Sequence, residues 1–485
     1  MQDFHWITNL VFLADWMLRI GLSARVVMRR LPVGVSLAWL AIILIFPFAG
    51  AAVYLLLGEY RLGHGRMRRA AIYRENNRPV VVHRLEVHRA DVDRLDPESA
   101  ALARLADSVL GQPPLRDNRL HLLENAAAAF PALIADIDRA RQTVNLEYYI
   151  WSPGGQADEV GAAVIRAAKR GVQCRILVDA VGSKAFLKST LSNDLRQSGV
   201  RVGVALPTGL LRLLFVRPDL RLHRKIVVVD EEIGYTGSLN MADPRFFKIE
   251  AGVGQWVDAF ARVEGPAVKA LMETFREDWA IETGESIEPA PSAATTSGSQ
   301  PASKAVIQVL PTGPAARVDA IEQIVLMAIY AASREVVLTT PYFVPSESML
   351  NALLSAAGRG VDVSLIVPAK VDSRLVHFAS RAYQTDLIAA GVRVALFKGG
   401  LLHTKSITVD GRFSLFGSLN LDPRSLRLDF EITLAIYDVD FTTALRQLQS
   451  QYLSNSTILD LASCKARSGF ERFKEDAARL LGPIL

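Results

Sequence analysis

A chain of 485 residues has room for two ordinary domains and an appendage, and with half its residues hydrophobic its mean hydropathy of +0.21 is high for an enzyme that never meets lipid. The formal charge of +5 and a pI near 9.1 suit an anionic partner, nucleic acid or acidic lipid, without choosing between them. Two cysteines, Cys174 and Cys464, exclude a disulfide framework and a cysteine metal site, and Cys174 lies in the apolar run 172–178 as a core residue would.

Residues 4–28 are apolar and aromatic but carry Asp15 and Arg19 at i, i+4 spacing, and Arg25. They fit a membrane span with a paired charge or an interfacial amphipathic helix, the span being favoured. Residues 31–58 contain no charged side chain, and a helix needs about 20 apolar residues to cross a bilayer, so a span is expected there, with Pro32 near its start and Pro47 as a kink. No basic segment precedes the first apolar run, which argues against a cleaved signal peptide. Arg25, Arg29 and Arg30 lie between the two stretches, and Arg61, Arg66, Arg68, Arg69 and Arg74 follow the second. The positive-inside rule then predicts a transmembrane helical hairpin over 1–60, with the rest of the chain in the cytoplasm.

A basic connector is expected over 61–112, where His83 and His88 read as ordinary residues. A first α/β half follows over 113–283, opening as strand, helix, strand: 144–151, 159–170 and 172–179. A flexible linker rich in Pro, Ser, Ala and Thr occupies 284–305, and a second half of the same plan fills 306–485, with counterparts at 336–344, 350–359 and 361–367. The halves differ in one respect. Gly199 to His223 spans 24 positions and Gly391 to His403 spans 12, so the first half carries an insertion within 206–222. It reads equally as a packed surface helix or as a lipid-guiding segment that includes Leu214 and Phe215.

The duplication is plainest in the motifs. HRKIVVVD at 223–230 with GSLN at 237–240 recurs as HTKSITVD at 403–410 with GSLN at 417–420. In a strand, the His and Lys of H-x-K project to one side. Each copy offers an imidazole that is a nucleophile or proton carrier near neutral pH, His223 or His403, and a point cation for a phosphate oxygen, Lys225 or Lys405. Ser238, Asn240, Ser418 and Asn420 add hydrogen-bonding groups for the same anion. If the halves face each other, the result is a phosphodiester site with a nucleophile on one side and a general acid on the other. A lone H-x-K is more often a solvated strand face; two copies with matched downstream segments reverse that. Asp230 and Asp410 end apolar runs beside turns, where a carboxylate commonly holds local amides, so a framing role is favoured over a catalytic one. No H-E-x-x-H pattern or phosphate-binding G-x-x-x-x-G-K-[ST] loop is present, so neither a metal nor a nucleotide is called for.

With GVGQWVD at 252–258, YFVPS at 342–346, LDPRS at 421–425 and FEITL at 430–434, the paired motifs resemble the phospholipase D superfamily and, within it, the membrane-anchored bacterial cardiolipin synthases. The resemblance covers nearly the whole chain. It implies a pseudo-twofold duplicated phospholipase D fold and transfer of a phosphatidyl group between two phosphatidylglycerol molecules, giving cardiolipin and glycerol without a cofactor. It also implies a multi-pass protein of the bacterial inner membrane whose partners are anionic phospholipids and not nucleic acid. His223 becomes the nucleophile and His403 the acid and base, with a phosphatidyl-histidine between the steps. Glu431 matches the glutamate that orients a catalytic histidine, while Glu250 and Asp258 compete for that role in the first half. Asp429 stands where the family pattern has Asn. Three alternatives remain: a hydrolase, if water is the acceptor; a nuclease, which has little use for the uncharged stretch 31–58; and a non-enzymatic scaffold, which gives no reason for both motifs to be intact. The motifs leave oligomeric state open.

Overall fold

The computed structural model describes residues 3–31, 33–59, 61–209, 212, 216–288, 305–314, 317 and 319–480. Most of the linker expected at 284–305, and Leu214 and Phe215 of the insertion, lie outside the described residues. The described chain forms two compact units, one of residues 1–64 with 208–220 and one of the remainder.

The smaller unit corrects the expected hairpin. Its helices are α1 (Asp3–Met28), α2 (Val33–Ile45) and α3 (Ala49–Leu57), and no described helix is long and apolar enough to cross a membrane. The uncharged stretch is broken beside Pro47, where Phe48 adopts a φ of 48°. At 1.5 Å per residue the 13-residue α2 is about 20 Å long, short of the roughly 30 Å hydrocarbon core. The charged pair in α1 serves that break. Arg19 bonds Asp15 at 2.6 Å and donates to the Leu44 carbonyl at the end of α2, while Asp15 accepts from the Phe48 amide at 3.0 Å, just before α3. Arg25 takes Glu59 through two bonds of 2.5 and 2.9 Å. Leu22, Val26, Trp39, Ile43, Ala51 and Tyr54 make a core of their own. The multi-pass inner-membrane topology inferred from the hairpin falls with it. Within this unit the insertion returns to the N-terminal segment: Leu62 and Val216 form an antiparallel bridge, and the Arg217 amide donates to the Arg61 carbonyl at 2.9 Å.

The larger unit is the duplicated α/β body. Its first half supplies strands β1 (Leu115–Leu123), β2 (Thr143–Tyr148), β3 (Gln173–Asp179), β4 (Arg201–Ala205), β5 (Lys225–Val229), β6 (Ile233–Gly237), β7 (Trp256–Val257) and β8 (Phe260–Glu264). The second supplies β9 (Ala305–Thr312), β10 (Glu335–Thr339), β11 (Asp362–Pro368), β12 (Arg393–Phe397), β13 (Leu401–Leu402), β14 (Ser406–Val409), β15 (Phe413–Gly417), β16 (Glu431–Tyr437) and β17 (Ser456–Ile458). Fifteen of these join in one sheet, ordered β17-β12-β11-β10-β14-β15-β16-β9-β1-β8-β6-β5-β2-β3-β4. Outward from the β9–β1 seam, both halves run through the same seven positions, and β17 adds an edge to the second. In each half three strands are parallel, β2-β3-β4 and β10-β11-β12, joined by the helical crossovers that parallel strands require. Their strands are apolar on both faces because helices cover both, which explains the continuous Val/Ile/Leu runs. Each half has its own core, built around Phe130, Val144, Ile176 and Val227 in the first and Leu338, Leu353, Leu365 and Leu415 in the second.

Asp230 and Asp410 stand in the turns after β5 and β14, both at a φ of 53°. The Asp230 carboxylate accepts the amides of Arg141, Gln142 and Thr143, each at 2.8 Å. Asp410 does the same for Ser333, Arg334 and Glu335, at 2.8 to 2.9 Å, and also accepts the Ser333 hydroxyl. Each ties the entry of the parallel strand beside its motif strand, β2 or β10.

Candidate active site

Each motif histidine sits just before a central strand, and its main chain crosses to the other half. His223 precedes β5. Leu222 forms a parallel bridge with Phe430, and the His223 amide donates to the Phe430 carbonyl at 2.9 Å. His403 follows β13, which pairs in parallel with β7, and its amide donates to the Val257 carbonyl at 2.8 Å. The residue after each of those carbonyls is a carboxylate. His223 Nδ1 meets Glu431 at 2.8 and 3.0 Å, and His403 Nδ1 meets Asp258 Oδ1 at 2.6 Å. An ionised carboxylate only accepts, so with Glu431 and Asp258 ionised Nδ1–H donates in both pairs and leaves the Nε2 lone pair to a substrate. Of the two first-half candidates, Asp258 takes the histidine; Glu250 is exposed on the short turn Ile249–Ala251. Neither half holds a complete His–carboxylate pair alone.

The cations lie against these pairs. Lys225 Nζ donates to the His223 carbonyl at 2.6 Å and Lys405 Nζ to the His403 carbonyl at 2.5 Å. All four groups are buried, with His223 7 % exposed, His403 2 %, Lys225 0 % and Lys405 2 %. Burial therefore dominates their titration. His403 is pushed down to about 3, first by burial and then by Lys405, and His223 well below its ordinary value by burial and then by Lys225 and Lys405. Both imidazoles are neutral at neutral pH. Burial lowers Lys225 to about 8, against the pull of Glu431 and Asp258, and takes Lys405 well below its usual value. Glu431 rises to about 7 through burial, whereas His403 holds the Asp258 carboxylate below its ordinary value despite burial.

Asn240 and Asn420 follow the strands that pair with β5 and β14. Asn240 Oδ1 accepts from the Ile150 amide at 3.3 Å, while its buried Nδ2 has no partner, an arrangement costly unless a ligand oxygen arrives. Asn420 Oδ1 is likewise buried and unpartnered. The two serines are engaged elsewhere. Ser238 Oγ accepts the Ala259 amide at 3.0 Å, and Ser418 Oγ bonds Glu431 Oε2 and accepts the Ile432 amide at 2.9 Å, so each steadies the strand beside a carboxylate. Asp429 is buried, and burial, reinforced by Glu431 and Asp422, raises its carboxyl well above the usual range. Among the described residues no group of three or more His, Cys, Asp or Glu is placed to hold a metal ion.

Sequence reasoning missed the aromatic walls. Tyr149 packs on His223 at 5.0 Å and Trp256 on His403 at 4.4 Å, centroid to centroid. Trp256 lies one turn of the alternation from Asp258, and Tyr149 directly follows β2; both positions were readable only once the strand pairing was known.

Two family models match this chain. The model described as cardiolipin synthase, PLD-like domain, matches residues 133–279 and 325–452, so both halves are covered, and the model described as phospholipase D-nuclease N-terminal matches 17–59. The cardiolipin synthases A of Cronobacter sakazakii and Klebsiella pneumoniae are each 42 % identical over 486 aligned residues, covering 100 % of this chain and 100 % of theirs. The chain belongs to the cardiolipin synthase family. Like that family it is a phosphatidyltransferase of the phospholipase D type, acting on phospholipids. A crystal structure of phosphatidylserine synthase from Haemophilus influenzae shares the fold, with a TM-score of 0.56 at 15 % identity over 79 % of this chain and 100 % of that one.

Proposed function

We propose that this cardiolipin synthase family member takes a phosphatidyl group from one phosphatidylglycerol and passes it to the glycerol headgroup of another through a histidine-bound intermediate. The observation that carries this is the pair of buried imidazoles, each held through Nδ1 by a carboxylate of the other half and each presenting Nε2. In this reading His223 Nε2 attacks the donor phosphorus while His403 protonates the departing glycerol oxygen. The neutral His403 then removes a proton from the acceptor hydroxyl, which displaces His223. Bonds broken and formed balance as one phosphodiester exchanged for another. Lys225, Lys405, Asn240 and Asn420 stabilise the non-bridging oxygens in the five-coordinate transition state.

Both histidines begin neutral, so the acid must gain its proton when the donor binds. The arriving phosphodiester anion offsets Lys225 and Lys405 and raises the nearby imidazole. Anionic phospholipid is thus the fitting partner, and nucleic acid is not part of this reading. The test gives purified protein phosphatidylglycerol in mixed micelles with EDTA, and compares wild type with His223→Ala and His403→Ala. Cardiolipin plus glycerol from wild type alone supports the reading. Phosphatidic acid as the main product makes water the acceptor, and DNA cleavage without lipid replaces the substrate class.

A further inference from the structure

The residue between the His and Lys of the first motif is Arg224, and no part of the chemistry above uses it. It is buried, 7 % exposed, and bonded on three sides. Its Nε donates to the Glu431 carbonyl at 3.1 Å, its Nη2 to the Thr312 carbonyl at 3.0 Å, and its Nη1 to Asp278 on the helix Pro266–Thr283. Glu431 and Thr312 are paired residues on β16 and β9, so one guanidinium from the first half grips both strands of the second at the point where Glu431 leaves for His223. Glu147 on β2 lies beside Asp278, fully buried, and burial, reinforced by Asp278, raises its carboxyl well above the usual range. The counterpart in the second motif is neutral and slighter. Thr404 Oγ1 donates to the Val257 carbonyl at 3.3 Å and shares a bond with the Tyr452 hydroxyl.

We infer that Arg224 is a positioning residue: anchored by Asp278, it fixes the Glu431 main chain against the His223 strand and so sets the angle at which His223 Nε2 meets phosphorus. The planar fork suits two carbonyls and a carboxylate at once, which a lysine cannot match. This rests on reading His223 as a reacting group.

A cavity of about 360 Å³ opens on Arg224, Asp278 and Thr312. It gives a small cation a route to the same place. Arg224→Ala should lower kcat about 10²-fold with KM little changed, since misplacing a reacting group by about 1 Å costs that much. Added guanidinium should restore at least a tenth of the wild-type kcat to Arg224→Ala but nothing to His223→Ala. The Nδ1 proton of His223 in the Glu431 bond should lose its downfield NMR signal in the variant and regain it with guanidinium. Because truncation strands a buried Asp278 charge, Arg224→Met with Asp278→Asn is the folding control, expected to fold and remain slow. Wild-type kcat in either variant overturns the inference, as does a folded, slow Arg224→Ala that guanidinium neither speeds nor restores spectroscopically. An active His223→Ala would instead overturn the reading beneath it.

Discussion

At the residue scale, burial decides most of what the site can do. His403 is free in the unfolded chain to take a proton near pH 6.5, but in the fold it does so only near pH 3. Its neutral burial contributes stability that is fully present above about pH 6.5 and lost as pH falls toward 3. Replacing it with Gln removes that dependence. Between pH 7 and pH 5 the unfolding free energy of wild type relative to His403→Gln should fall by about 2 kcal/mol, from 1.36 kcal/mol per pH unit below 6.5. An unchanged difference, read by denaturant melts at the two pH values, would show that the imidazole is solvated. Lys405→Met, which removes the buried donor that the proposed reaction turns onto the phosphate oxygens, should cost 10²- to 10³-fold in kcat, as loss of one such donor typically does. A steady-state comparison with wild type checks this, and a loss below tenfold would place the cation outside the transition state.

At the element scale, carboxylates divide into those that hold strands and those that hold histidines. Asp410 accepts three backbone amides and a hydroxyl at the entry of β10. Asp410→Ala should therefore cost about 2–3 kcal/mol of stability while sparing kcat of the folded fraction. Glu431→Gln should do the reverse, leaving the melting temperature within a few degrees and slowing turnover. A swap of the two outcomes would reverse the assignment. The shared α/β plan of the two halves was legible in the paired motifs, because H-x-K and GSLN recur at one spacing and a strand side chain has only two faces. The crossed pairing of Glu431 with His223 and of Asp258 with His403 was not. Spacing along a chain does not say which half a carboxylate meets, so it could not choose between Glu250 and Asp258. The N-terminal break was hidden for a similar reason. Asp15 and Arg19 look like an isolated i, i+4 pair until their partners, the Phe48 amide and the Leu44 carbonyl, are brought to them by folding.

At the scale of the whole body, the site exists only when the halves are joined in one sheet. The β1–β9 seam is held by Asn118, fully buried, which donates to the carbonyls of Leu115 at 2.7 Å and Ala305 at 3.3 Å and accepts the Ala267 amide at 2.7 Å. A protease site inserted in 289–304 and then cut should leave activity within about twofold of the uncut protein, because continuous pairing and cross-half bonds already hold the halves. Activity that vanishes on cutting, with both fragments still associated, would mean the connection itself shapes the pocket. Asn118→Ala should loosen the seam, costing about 1–3 kcal/mol for the groups left unpaired.

The proposed reaction turns on a covalent phosphatidyl-histidine formed across the two halves. Phosphatidylglycerol labelled at its phosphorus, mixed with the enzyme and quenched within a turnover in denaturant at mildly alkaline pH, is the decisive test. The expected result is an acid-labile, base-stable label on the peptide that carries His223, absent from His223→Ala. Wild-type enzyme that turns over with no label at any quench time, or with the label on another side chain, would contradict it.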